Sequence, residues 1–125
     1  MLKKKHPEDQ LCKAFVQEMD YRIKVDPKLK GLSYYHVANE RKCHPATGAR
    51  LKAMGVREGV ADYFIARAVG KYHGLYIECK IKPNKLTQLQ EAFLEIMSYE
   101  GYATGVAYSA EEAIKIVYDY VEGRI

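Results

Sequence analysis

Three runs decide how this chain reads: Gly55-Val56-Arg57-Glu58-Gly59-Val60-Ala61-Asp62, then Leu75-Tyr76-Ile77-Glu78-Cys79-Lys80-Ile81, then Leu86-Thr87-Gln88-Leu89-Gln90. The middle run alternates, so Leu75, Ile77, Cys79 and Ile81 point one way while Tyr76, Glu78 and Lys80 point the other. A strand this apolar is expected to be buried on at least one face. An acid and a base two residues apart on its second face are costly there unless that face meets solvent or a ligand. The stretch after Gly59 is expected to form the preceding strand, with Asp62, Phe64 and Ala66 on one face and Asp62 at its start. Two neighbouring strands would then gather two carboxylates and one amine. Oxygen donors, one or two of them carboxylates, with several retained waters, are what Mg²⁺ requires.

Working outward, Pro7 suits the first turn of a helix, and Glu8 and Asp9 follow where the helix dipole favours acids. This helix is expected to run to about Lys24 and to stop before Asp26-Pro27. At about 100° per residue, Leu11, Ala14, Phe15, Glu18 and Arg22 share a face, which puts Glu18 inside the apolar stripe. Two readings of Glu18 stand side by side: an inward-facing acid, or an ion pair with Arg22 four residues on. Ser33 to Ala38 reads as a tyrosine-rich strand, Asn39 to Pro45 as a polar basic loop, and Ala46 to Met54 as a short helix closed by Gly55. Gly55 and Gly59 frame a loop, either for simple turn geometry or for close backbone approach to a phosphate. Downstream, Thr87 with Gln90 matches a capping box opening a helix that runs to Gly101. Ala103 to Tyr108 is a strand, and Ser109 with Glu112 repeats the capping signature for a last helix ending near Glu122. The order is helix, strand, short helix, strand, strand, helix, strand, helix. It predicts an α/β domain, two- or three-layered, around a small mixed sheet.

With 125 residues the chain is expected to be one domain spanning 1–125, with 1–6 as a loose arm. No run approaches the roughly 18 apolar residues of a membrane span, and the N-terminus lacks the apolar stretch of a signal peptide. Cys12, Cys43 and Cys79 are odd in number, widely spaced and without a C-x-x-C pair, which argues for reduced thiols in an intracellular, cytoplasmic setting. His6, His36, His44 and His73 are scattered, so a zinc site is not expected, and Cys43-His44 has no partner acid placed with it. No phosphate-loop or dinucleotide-binding glycine motif occurs. A net charge of +4 permits an anionic partner such as nucleic acid without requiring one.

A bare D…E-x-K is a weak motif. Here it falls on two core-like strands, after a glycine-framed loop and before a polar helix start. That combination resembles the PD-(D/E)xK nuclease superfamily and, within it, the VRR-NUC family. The residues that carry the resemblance are Arg50-Leu51-Lys52, Gly55, Gly59, Asp62, Glu78-Cys79-Lys80, Leu86-Thr87 and Gln90. Ala61 departs from the family, which usually has proline before the aspartate. The resemblance implies a restriction-endonuclease-like αβββαβ core. It implies that Asp62 and Glu78, helped by the Cys79 backbone carbonyl, hold Mg²⁺ or Mn²⁺. Lys80 would orient the attacking water or neutralise charge on the phosphoryl oxygens, and Gln90 would help position Lys80, the water or a phosphate. Glu18 is similar to the helical acid that completes the metal site in related junction-cutting enzymes.

Charge placement points to the substrate. Arg41, Lys42, Arg50, Lys52 and Arg57 precede Asp62, and Lys82 and Lys85 follow Lys80. Such residues contact phosphates without reading bases, which gives sequence-tolerant, salt-dependent binding. With the resemblance, this implies a metal-dependent, structure-selective endodeoxyribonuclease acting on branched DNA such as four-way (Holliday) junctions. It would work as a homodimer, of phage or prophage type. The competing readings are a flap nuclease or exonuclease using the same site, and a non-catalytic DNA-binding module.

Overall fold

The computed structural model describes residues 6–38 and 44–125. A four-stranded sheet lies at its centre in the order β1 (Tyr34–His36), β2 (Tyr63–Ile65), β3 (Leu75–Cys79) and β4 (Ala103–Ala107). The β1–β2 and β2–β3 pairs are antiparallel, whereas β4 lies parallel to β3. A parallel neighbour requires a crossover connection, and α3 (Gln88–Tyr99) supplies it. The other helices are α1 (Pro7–Val25), α2 (Pro45–Ala53) and α4 (Ala110–Val121), with a short 3-10 turn over Pro27–Leu29. The fold is α/β with a mixed sheet, in the element order that the sequence predicts. The expected basic loop at 39–43, with Arg41, Lys42 and Cys43, lies outside the described residues. So does the expected arm, apart from His6 at the N-cap of α1.

The alternation of β3 places its two faces in different surroundings. Leu75, Ile77 and Cys79 are fully buried among Phe15 and Met19 of α1 and Ala113, Val117 and Tyr120 of α4. Phe15 meets Tyr63 of β2 edge-on, with ring centroids 4.9 Å apart. On the opposite face, Tyr76 stands perpendicular to Phe93 of α3 at 5.1 Å. The sheet is thus covered from both sides, which settles the layering as three.

The stripe of α1 is turned from the expected one. Leu11, Phe15 and Met19 are its buried residues, with Cys12, Val16 and Ile23 packed beside them, and Ala14 is exposed. The sheet takes the i, i+4 row through 11, 15 and 19, so residues 14 and 18 fall on the flank. Glu18 is accordingly not inward-facing: its side chain is 45% exposed and its carboxylate accepts a 2.6 Å bond from Arg22 Nε.

Helix ends follow the local rules. In α3, Thr87 Oγ1 accepts from Gln90 N (3.2 Å) and Gln90 Oε1 accepts from Thr87 N (3.0 Å), a complete capping box. In α4, Ser109 Oγ accepts from Glu112 N (3.0 Å), and the Glu112 carboxylate reaches the Tyr108 N–H at 3.2 Å, one residue before the cap. After α1 the Asp26 side chain caps the 3-10 turn by accepting from Lys28 N. It also accepts a 2.5 Å bond from the Tyr118 hydroxyl of α4.

Candidate active site

The antiparallel register pairs Tyr63 with Ile77, so the residues just outside that pair, Asp62 and Glu78, stand opposite each other. Asp62 directly precedes β2. Its carbonyl accepts from Val37 N at 2.8 Å, which continues the β1 side of the ladder. Toward β3 the ladder changes character. The Cys79 N–H, which a longer β2 would meet with backbone, donates instead to Asp62 Oδ2 at 2.8 Å. A charge-assisted bond to a backbone donor fixes that carboxylate against the β3 backbone at Cys79. Lys80 follows β3, with its N–H donating to the Ala107 carbonyl at 2.9 Å, so β4 holds its backbone in strand geometry.

Among the described residues, the buried polar or charged ones are Asp62 (1% exposed), Glu78 (1%), Lys80 (6%) and Gln90 (8%). All four are among the residues that the sequence reading singles out, whereas Glu18, singled out with them, is not buried. Glu78, Lys80 and Gln90 line a cavity of about 600 Å³ together with Glu8, Glu58, Gly59, Val60, Asn84, Lys85 and Thr87. Asp62 is anchored behind that lining by its bond to Cys79. The cavity lies past the C-terminal end of β3, where the first turns of α1 (Glu8) and α3 (Thr87, Gln90) meet it. Helix N-termini present unsatisfied N–H groups and the positive end of the helix dipole, which suits an anion such as a phosphate. Gln90 serves two purposes: the capping box takes its amide oxygen, and its NH₂ is the group able to donate to a ligand.

The same crowding acts on the neighbouring thiol. Contact with the Cys12 thiol, then burial, then the Asp62 and Glu78 carboxylates push the Cys79 thiol far above its ordinary 9.0, so it stays neutral at physiological pH. Burial first, then the Cys12 thiol, likewise raises the Tyr63 hydroxyl, which also donates to the Cys12 carbonyl at 3.4 Å.

Other expected site residues are distributed less tightly. Glu18 lines a separate depression with Ala14, Gln17, Arg22, Ala110, Glu111 and Ile114, away from the cavity. The α1 acid at the cavity is Glu8, which sequence reasoning assigned only to the helix dipole; Glu58 and Asn84 were also missed. Lys85 stands on the rim. Lys82 lies over the Tyr108 ring at 5.7 Å. Arg50 and Lys52 are exposed on α2. Arg57 directs its guanidinium to the carbonyls of Lys52 (3.2 Å) and Val56 (3.4 Å), closing the end of α2. Of the two framing glycines, Gly55 (φ +104°) has open space around it and serves the turn. Gly59 (φ +89°) makes a close approach, but to protein: a Cβ there would lie 2.8 to 2.9 Å from Leu89 Cβ, C and O.

Comparison with solved structures aligns 96% of this chain with 92% of a VRR_NUC domain protein at 27% identity and a TM-score of 0.70. The fold is that of a VRR-NUC domain. Neither protein-family models nor curated protein sequences return a match. The VRR-NUC likeness spans nearly the whole of both chains, so it covers the cavity as well as the sheet and agrees with the resemblance read from Asp62, Glu78, Lys80 and Gln90.

The donor set fits a hard divalent cation. Asp62 and Glu78 are two carboxylates buried side by side, the Cys79 carbonyl lies between Glu78 and Lys80 in sequence, and Glu8 adds an acid at the same cavity. Two adjacent carboxylates withdrawn from water repel each other and lose hydration. A divalent cation bound between them would offset that repulsion.

Proposed function

We propose that this VRR-NUC chain is a metal-dependent endodeoxyribonuclease that hydrolyses phosphodiester bonds in branched DNA. One observation carries the reading: the buried Glu78, Lys80 and Gln90 line one cavity at two helix N-termini, with the buried Asp62 bonded to the strand directly behind them. Asp62 and Glu78, with the Cys79 carbonyl, would hold Mg²⁺ or Mn²⁺. The acid from α1 that accompanies them is Glu8 in place of Glu18. When bound, the ion supplies Lewis acidity toward the phosphate and lowers the pKa of a nearby water. Lys80 holds a positive charge beside the reacting phosphate, where a fixed charge in a site shielded from water favours the build-up of negative charge in the transition state. The Gln90 NH₂ and the N-terminus of α3 hold a phosphoryl oxygen in position. Lys85 and Lys82, with Arg50 and Lys52, steer the DNA backbone, and Arg41 and Lys42 extend that set.

Recognition by backbone charge suits a substrate defined by shape. We assign the active species to a homodimer, which would set two sites against two strands of a four-way junction. Support comes from α3, whose outer face exposes Leu89, Ile96 and Tyr99 at 51%, 56% and 85%. These fall on an i, i+7, i+10 row, an apolar stripe left over after the core is satisfied.

The test is a side-by-side cleavage panel with labelled four-way junction, flap and linear duplex, with Mg²⁺ or Mn²⁺ and with a chelator. Metal-dependent internal cutting, strongest on the junction and lost in Asp62→Asn and Lys80→Ala, is expected. Preferential trimming of flaps or ends would assign the same site to a flap nuclease or exonuclease. DNA binding with no cleavage under any metal would make the domain a binding module.

A further inference from the structure

Asp62 also belongs to a second set of donors, whose two thiols the proposed hydrolysis does not use. The Sγ atoms of Cys12 and Cys79 and a carboxylate oxygen of Asp62 all lie within 4.8 Å of one another. Cys79 is fully buried on β3, Asp62 is 1% exposed, and Cys12 sits half-buried on the neighbouring face of α1. Neither thiol is in a disulfide. Three donors drawn from three different elements meet here, so the grouping comes from the tertiary fold and not from local sequence. A tetrahedral zinc ion with Zn–S bonds near 2.3 Å holds its sulfur donors about 3.8 Å apart. The observed spread therefore lies within about 1 Å of a three-ligand site with one open position.

We infer that Cys12, Cys79 and Asp62 form a second cation site, selective for thiophilic ions such as Zn²⁺ and antagonistic to the cavity site. Two thiolates and one carboxylate select a borderline-soft ion, whereas Mg²⁺ rejects sulfur. The two sites share Asp62. With its carboxylate turned to an ion between the thiols, Asp62 is withdrawn from Glu78 and releases the Cys79 N–H, so one residue cannot serve both ions at full strength. On binding, each thiol loses its proton to solvent as its Zn–S bond forms, and no electron is transferred. The binding half of the inference stands by itself. The antagonism rests on the nuclease reading.

The experiment uses the whole reduced chain and titrates it with Cd²⁺ as an optical probe, reading the ultraviolet thiolate-to-metal band. Wild type should show one saturable band that Zn²⁺ displaces and a large excess of Mg²⁺ does not. Cys12→Ser and Cys12→Ala, checked for folding by circular dichroism, should weaken it by at least about tenfold, since even indirect supporting partners of a metal site are worth that much. Cys43 is present in all three proteins and cancels from the comparison. In the Mn²⁺-supported cleavage assay, Zn²⁺ should inhibit wild type, and the Cys12 variants should keep the basal rate while needing at least about tenfold more Zn²⁺. An absent band, or one unchanged in folded Cys12 variants, overturns the site. A normal band with equal Zn²⁺ inhibition of all three proteins overturns the antagonism. Should no DNA be cut at all, the nuclease reading fails while the optical titration still decides the site.

Discussion

Gly59 sits where two demands coincide, a φ of +89° and a backbone approach to Leu89 that leaves no room for a Cβ. A left-handed conformation costs a non-glycine residue roughly 1–2 kcal/mol, and a side chain here must also push the loop off the first turn of α3. Gly59→Ala should therefore lower unfolding stability by at least about 1–2 kcal/mol in a urea titration, with a loss of cleavage larger than that instability explains. Gly55→Ala, with the same backbone strain but open space around it, should lose stability alone. At Asp62 the expectation concerns the metal: at a hundredfold excess over its Kd, Mg²⁺ should stabilise wild type by about 2.7 kcal/mol and leave Asp62→Asn unmoved in a thermal melt. Glu78 and Lys80 are legible in the sequence because they fill the second face of an alternating strand whose first face is wholly apolar, and the roles proposed for them and for Asp62 come from the family resemblance. Glu8 is not legible in the same way. An acid in a first helical turn is already accounted for by the dipole, so its long-range position at the cavity leaves no separate trace.

Elements were readable wherever caps or alternation set them, and misread where a helical face had to be chosen without knowledge of what packs on it. One position along a helix is a turn of about 100°, which is enough to move Glu18 from the expected inner stripe of α1 to a flank beside Arg22. The caps of α3 and α4 allow a sharper test, because similar chemistry occurs at a functional and at a structural helix start. Thr87→Ala removes the acceptor for Gln90 N, and Ser109→Ala removes the acceptor for Glu112 N. Each should cost about 1 kcal/mol of stability in denaturant unfolding. Only Thr87→Ala should also lower the turnover rate, because it loosens the amide of Gln90, the side chain that α3 extends into the cavity. Equal turnover in the two variants would reduce Gln90 to a cap.

Across the molecule, α1 and α4 form the layer behind the site, and their union shows a pH signature. The Tyr118 hydroxyl bond, then the Lys28 backbone N–H, hold the Asp26 carboxyl below its ordinary 3.8. Burial first, then the bond to Asp26, raise Tyr118 above its ordinary 10.0. A depressed acid contributes stability that is present above its unfolded pKa and lost as pH falls through the folded one. A raised phenol contributes stability that is complete below 10.0 and lost as pH climbs toward its folded value. The stability gap between wild type and Tyr118→Phe should thus be flat from about pH 4 to 10 and close on both sides, as read by denaturant unfolding across pH. The opposite layer makes the larger functional claim. Helix α3 presents Gln90 to the cavity and Leu89, Ile96 and Tyr99 to the outside, so a partner copy seated on that stripe would bear on the helix that positions the Gln90 amide. Ile96→Lys places a charge in the middle of the stripe without touching the core. It should leave the melting temperature of the protomer within about 0.5 kcal/mol of wild type in stability terms and shift the mass by light scattering from dimer to monomer. On a four-way junction it should convert paired, simultaneous incisions into single nicks, while cutting of one strand at saturating enzyme continues. A variant that remains dimeric and still makes paired cuts would move the interface elsewhere on the surface and leave the α3 stripe without a role in assembly.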